Sequence, residues 1–250
     1  MATTTARTIS RRRLYPEERL PESDGKPMAE TDVHRDQMID LLHALKEFFR
    51  NDQQIYVTGN IFFYYRDEIN ELQSVSPDIF VVRGVKKKER RIYNLDVERK
   101  APDVVIELTS QKTKAEDLGT KRFIYASLGV REYFIFDPTG ETIRPALRGF
   151  RIEAGEYVPI TQMPLHSKAL GLELRVEQNR LRLYDAKTGE RLRTHTESET
   201  ERRLAEKKAV RESNARQKAE AMAEEQANAR RTTEAENLRL REELAKLRGK

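Results

Sequence analysis

Three side chains in this sequence have the types and spacing to do chemistry together: Asp78, Glu107 and Lys121. Asp78 follows Pro77 and opens the apolar run Ile79-Phe80-Val81-Val82, while Glu107 sits inside Val104-Val105-Ile106-Glu107-Leu108. A carboxylate in so apolar a run costs free energy unless something compensates it, and a divalent cation is the usual compensation. Two such carboxylates and a lysine are the equipment of metal-dependent phosphodiester hydrolysis. The cation lowers the pKa of a bound water, and the ammonium stabilises charge on the attacked phosphate. Mg2+ (or Mn2+) needs only one or two protein carboxylates, because water and phosphate complete its octahedron.

The elements that must position these groups can be read from the surrounding pattern. Side chains two apart on a strand share a face, so Asp103, Val105, Glu107 and Thr109 point one way and Val104, Ile106 and Leu108 the other. If the strand ending at Val82 neighbours the strand from Val104 to Thr109, the two carboxylates converge on one cation. Residues 114–128 read as a helix ended by Gly129, and Glu132 to Asp137 as the next strand. Strand, helix and strand with short links predict a right-handed parallel crossover. Lys121 lies on that helix, with Asp117 four residues before it and Tyr125 four after, all on one face.

Upstream, Met38, Leu41, Leu42, Leu45, Phe48 and Phe49 recur at helical spacing, and Thr31 or Asp32 can cap the start of that helix. Ile55 to Tyr65 reads as strand. Beyond Pro138, the short runs 151–152, 157–160, 172–176 and 181–184 predict an antiparallel extension or a hairpin flap. The expected fold class is α/β, a mixed β-sheet flanked by helices, followed by a long charged C-terminal helix.

The chain has 250 residues. It divides into an irregular arm (1–27), an α/β domain (28–190) and a charged helical tail (195–250). Apolar residues are 37% and charged residues 36%, a charge content that fits solvated helix in part of the chain. No Pro or Gly interrupts residues 197–247. Leu240, Leu244 and Leu247, with Asn237 in register, offer a few heptads that could zip a homodimer as a coiled coil. Upstream the apolar seam is missing, so a solvated helix stands as the alternative. There is no cysteine, which excludes disulfides and thiolate zinc sites. No apolar run approaches the ~20 residues that span a bilayer. Arg11-Arg12-Arg13 has no apolar segment behind it, so no secretory signal is read and a cytoplasmic location, without membrane contact, is expected. A net charge of +5 is compatible with nucleic acid without requiring it.

Pro77-Asp78, Glu107-Leu108-Thr109-Ser110, Asp117, Lys121, Tyr125-Ala126, Gly129-Val130-Arg131-Glu132-Tyr133 and Asp137-Pro138 together resemble the Uma-two family of restriction endonucleases. That family is a branch of the PD-(D/E)xK nuclease superfamily, and the similarity runs over roughly residues 20–190. The resemblance implies a restriction-endonuclease-like core, DNA as substrate, and Asp78 and Glu107 as metal ligands. The superfamily's lysine usually stands two positions after the second acid, which here is Thr109; the resemblance moves that role to Lys121. It also implies an accessory acid near the first helix, for which Glu30 is the candidate, with His34 one turn further on and Tyr125 on the later helix.

Each residue also has a plainer role open to it. Asp78 after a proline suits a strand start, Lys121 with Asp117 suits a helix-surface ion pair, and His34 suits a packing or solvent-facing position. The basic run Arg83, Lys86, Lys87, Lys88 could hold phosphates beside the metal or form a solvated loop. Three functional readings follow: a Mg2+-dependent DNA endonuclease, a nuclease-fold module with weak or lost catalysis that binds DNA or assembles through its tail, and an α/β domain whose buried acids are satisfied by hydrogen bonds.

Overall fold

The computed structural model describes residues 20–23, 25 and 31–248. The chain divides into two units, residues 1–195 and 196–250. In the first, helix α1 (Asp32–Phe48) is capped by Thr31, whose side chain accepts from the His34 N–H. Its buried stripe of Met38, Leu41, Ala44 and Leu45 faces a six-stranded sheet. That sheet contains β1 (Ile55–Thr58), β4 (Ile79–Arg83), β6 (Val104–Leu108), β7 (Glu132–Phe136), β8 (Leu147–Glu153) and β9 (Glu156–Pro159), in the order β1-β4-β6-β7-β8-β9. Within this sheet β6 and β7 pair in parallel and the other four pairs are antiparallel. A one-turn helix, α2 (Leu95–Glu98), precedes β6, and the helical crossover between β6 and β7 ends in α3 (Lys121–Ser127).

Strand periodicity sorts the apolar side chains into two cores, one on each face of the sheet. Ile79, Val81, Val104, Ile106, Leu108, Phe134 and Phe136 pack with α1. A separate antiparallel sheet of β10 (Leu165–Ser167), β11 (Leu172–Glu177) and β12 (Arg180–Asp185) adds Leu172, Leu174, Leu181 and Leu183 to that core. Phe80, Val82, Val105, Tyr133 and Ile135 face the other way, where they meet Tyr125 of α3. Phe63 and Tyr93 join them from a third sheet, formed by β2 (Phe63–Arg66), β3 (Leu72–Val75) and β5 (Tyr93–Asn94). Each large side chain removed from water in this way stabilises the fold by about 1.5–3 kcal/mol.

Two expectations are refined. The run from Ile55 to Tyr65 is not one strand: it breaks at Gly59-Asn60, where Asn60 has a left-handed φ of 54°, and its halves join different sheets. The strands beyond Pro138 also separate, with β8 and β9 extending the main sheet while β10, β11 and β12 cover the α1 core. On β12, the outer strand of that small sheet, Leu181 meets the buried side chain of Gln37. Gln37 Nε2 donates to the Leu181 carbonyl at 3.1 Å, and the Leu181 N–H donates to Gln37 Oε1 at 3.0 Å.

The second unit consists of helix α4, which runs His195–Arg248. Its side chains from residue 201 to 244 are all exposed. Pairs such as Arg202–Glu206 and Arg216–Glu220, both at 2.7 Å, line the helix surface and contribute a few tenths of a kcal/mol each. Among the described residues no helix is long and apolar enough to cross a membrane.

Candidate active site

β4 and β6 run antiparallel with Ile79 opposite Ile106, so one further step of the register sets Asp78 across from Glu107. The two residues are linked both ways: the Asp78 N–H donates to Glu107 Oε2 at 3.3 Å, and the Leu108 N–H donates to Asp78 Oδ2 at 2.7 Å. Glu107 is fully buried. The Tyr125 hydroxyl donates to its Oε1 at 2.7 Å, and Lys121 Nζ lies 3.2 Å from its Oε2. His34, at the start of α1, brings Nε2 to 3.5 Å from Asp78 Oδ1.

The crossover supplies Lys121 through an unusual turn. Residues Glu116–Thr120 are π-helical, with the Lys121 N–H bonding to the Glu116 carbonyl. Such one-turn widenings recur at functional sites because they re-aim the side chains on either side. Here Asp117 Oδ1 stands 3.0 Å from Lys121 Nζ, and the Tyr133 hydroxyl donates to the Asp117 backbone carbonyl at 2.9 Å. The Asp117–Lys121 pair is therefore buried beneath the crossover and not on a helix surface.

The electrostatics separate the two strand acids. Burial pushes the Asp78 carboxyl up, but the His34 imidazole, the Lys121 ammonium and the Leu108 N–H outweigh it and hold the group below its ordinary range. Burial also dominates at Glu107, and Asp78 and Asp117 add to it; Lys121 and Tyr125 offset only part, leaving Glu107 pushed up to about 8. Lys121 is raised: burial opposes its charge, but Glu107, Asp117 and Asp78 more than restore it. Tyr125 is held protonated, first by burial and then by Glu107, and so remains a donor. Carboxyls driven apart in this way are the pattern expected of acids with different tasks.

These residues fit a hard divalent cation. Asp78, Glu107 and Asp117 bring carboxyl oxygens round the Lys121 ammonium, with the His34 imidazole beside Asp78, and oxygen donors of this kind suit a hard cation. Among the described residues, no three His, Asp or Glu side chains are arranged to enclose a metal by themselves. A cation here would be shared by Asp78 and Glu107, with water and phosphate filling the remaining positions.

A family model, Uma2, described as "Putative restriction endonuclease", matches residues 10–202. The chain belongs to the Uma2 family. Membership places it among restriction-endonuclease-type nucleases. Among solved structures, the crystal structure of "a putative nuclease belonging to DUF820" from Anabaena variabilis ATCC 29413 is similar, with a TM-score of 0.44 and 14% identity over 70% of this chain and 91% of that one. No curated protein matches the chain.

Of the residues singled out in this Uma2 chain, Asp78, Glu107, Lys121, Tyr125 and His34 come together, while Glu30 lies outside the described residues. The basic run does not line the acidic site. It begins at the opposite end of β4, five extended steps of ~3.3 Å each from Asp78. Arg83 donates to the Ala169 carbonyl at 3.0 Å and stands over the Phe49 ring. Lys87 donates to the Phe49 and Arg50 carbonyls, Lys88 is 3.4 Å from Glu98, and the carbonyl of Lys86 accepts from Arg90. Lys87 and Lys88 also line a groove of about 740 Å³ with Lys46, Arg50 and Tyr56. Asp117 is the site residue whose depth the sequence pattern did not reveal; its four-residue spacing from Lys121 was the available signal. Thr109, at the superfamily lysine's usual position, is buried, and its hydroxyl has no hydrogen-bond partner among the described residues.

Proposed function

We propose that this domain is an endonuclease that hydrolyses DNA phosphodiester bonds with Mg2+ (or Mn2+) held between Asp78 and Glu107. The observation that carries the reading is the convergence of Asp78 and Glu107 from adjacent strands, with Lys121 3.2 Å from Glu107. When bound, the cation would supply a water acidified enough to attack phosphorus. The chain's own groups do the rest. Asp78 is kept ionised by His34 and the Leu108 N–H, ready to accept a cation at neutral pH. Tyr125 fixes the rotamer of Glu107 by donating to Oε1. Lys121, charged and nearly enclosed, can face the non-bridging phosphate oxygens and offset charge as it builds up there.

The reading makes cation affinity depend on pH. Glu107 is pushed up to about 8 in the cation-free protein, so below that value a cation must displace its proton. Mn2+ affinity measured by calorimetry should rise as pH increases from about 6 to about 8, with proton release shown by two buffers of different ionisation enthalpy. Affinity that stays flat over this range would detach Glu107 from the cation.

The groove beside Lys87 and Lys88 suits the flanking DNA backbone. Lys46 reaches it from α1 and Arg50 from the turn that follows, and ammonium and guanidinium groups bind phosphates without reading sequence. The double variant Lys46→Ala, Arg50→Ala should reduce the slope of log affinity against log salt by about 2, close to one for each phosphate no longer neutralised. Measured on the Glu107→Gln background, this reports binding independently of cleavage. An unchanged slope would remove the groove from the DNA path.

A further inference from the structure

Asp117 has no assigned task, yet its position is hard to explain as packing. Its side chain is only 1% exposed, and among the described residues no backbone N–H or neutral side chain is hydrogen-bonded to either carboxylate oxygen. Its charged partner is Lys121, whose Nζ lies 3.0 Å from Oδ1. A buried carboxylate held by a single ammonium recovers only part of its desolvation cost, so a purely structural role would favour an apolar residue here. The backbone nevertheless holds it in place. The π-helical turn Glu116–Thr120 brings it under the sheet, and Tyr133 clamps its carbonyl.

The same ammonium also touches Glu107 Oε2 at 3.2 Å. Glu107 is one of the two acids assigned to the cation, and a carboxylate oxygen given to a cation is no longer fully available to lysine. Lys121 therefore needs a second anchor if it is to stay in the site when the cation arrives. We infer that Asp117 is a positioning residue: it retains the Lys121 ammonium over the site when Glu107 turns to the cation. The inference rests on the proposed cation site for its functional meaning, but the Asp117–Lys121 link itself exists in the cation-free protein.

The experiment has two arms, each on full-length protein whose fold is checked by circular dichroism. In the first, without added metal, the Lys121 ammonium is followed by nitrogen-15 NMR in wild type, Asp117→Asn and Asp117→Glu. Slow exchange of the ammonium is expected in wild type, loss of the signal in Asp117→Asn, and at least partial recovery in Asp117→Glu. A signal unchanged in Asp117→Asn overturns the inference. In the second arm, Mn2+ affinity is measured by calorimetry in Asp117→Asn, Lys121→Met and the double variant. Released from Asp117, Lys121 should compete harder for Glu107, so Asp117→Asn should bind Mn2+ about tenfold more weakly, whereas the double variant should match Lys121→Met. Equal weakening in both backgrounds would make Asp117 a direct ligand and overturn the positioning role. Wild type that binds no Mn2+ would sink the cation reading alone, because the first arm still decides whether Asp117 holds Lys121.

Discussion

Glu107→Gln should lower metal-dependent DNA cleavage by about a thousandfold or more, roughly 4 kcal/mol of transition-state stabilisation, while the protein stays folded. The amide keeps the shape of the carboxyl and can still accept from Tyr125, but it loses the charge that would hold a cation. The variant should also change how stability responds to pH. Glu107 is pushed up to about 8 from an ordinary value of 4.5, so its protonated form is the one the fold favours. Its contribution is fully present below about 4.5 and is lost as pH rises through about 8, because the folded chain binds the proton that the unfolded chain has released. Gln cannot ionise. In metal-free buffer the variant should therefore melt higher than wild type at about pH 8.5, and the gap should close toward pH 5. Plasmid nicking with Mg2+ and Mn2+ and paired thermal melts check both halves. Full cleavage by the purified variant would end the hydrolytic mechanism.

The second large effect is expected at a residue with no chemistry. A Cβ added to Gly59 would lie 1.9 Å from the Asp78 carbonyl oxygen and 2.9 Å from its carbonyl carbon. Both are backbone atoms, so no rotamer change relieves the clash. Gly59→Ala must push β1 away from the start of β4, at a cost of about 3 kcal/mol or more, or a fall of roughly 6–12 °C in melting temperature. The shift displaces Asp78 itself, so Mn2+ affinity should fall along with stability, even in molecules that remain folded at room temperature. An Ala variant that melts like wild type and binds Mn2+ normally would show that the strands have slack at this point.

The strand acids were legible because local pattern decides them. An acid at alternating positions of a five-residue apolar strand has its face fixed by periodicity, and the parallel crossover follows from the strand–helix–strand order. Asp117 was less legible because spacing on a helix gives a face but not a depth: the same four-residue step describes a solvated pair or a buried one. The π-helical turn that decides between them has no sequence signature of its own. The basic run was misplaced for a related reason. Adjacency in sequence suggested nearness to Asp78, but β4 is extended and carries Arg83 and the lysines to its other end. The division of Ile55–Tyr65 turned on Gly59-Asn60, where the close approach to Asp78 is a long-range packing effect that propensity does not contain.

The amide of Gln37 has a consequence for how the protein behaves in crowded solution. By donating to the Leu181 carbonyl and accepting from the Leu181 N–H, it occupies backbone groups on the outer edge of β12 that could otherwise recruit a strand from another molecule, while residues 190–192 cover the same edge at Leu183 and Asp185. One helix side chain thus completes the cover of that sheet margin and guards it against aggregation at Leu181.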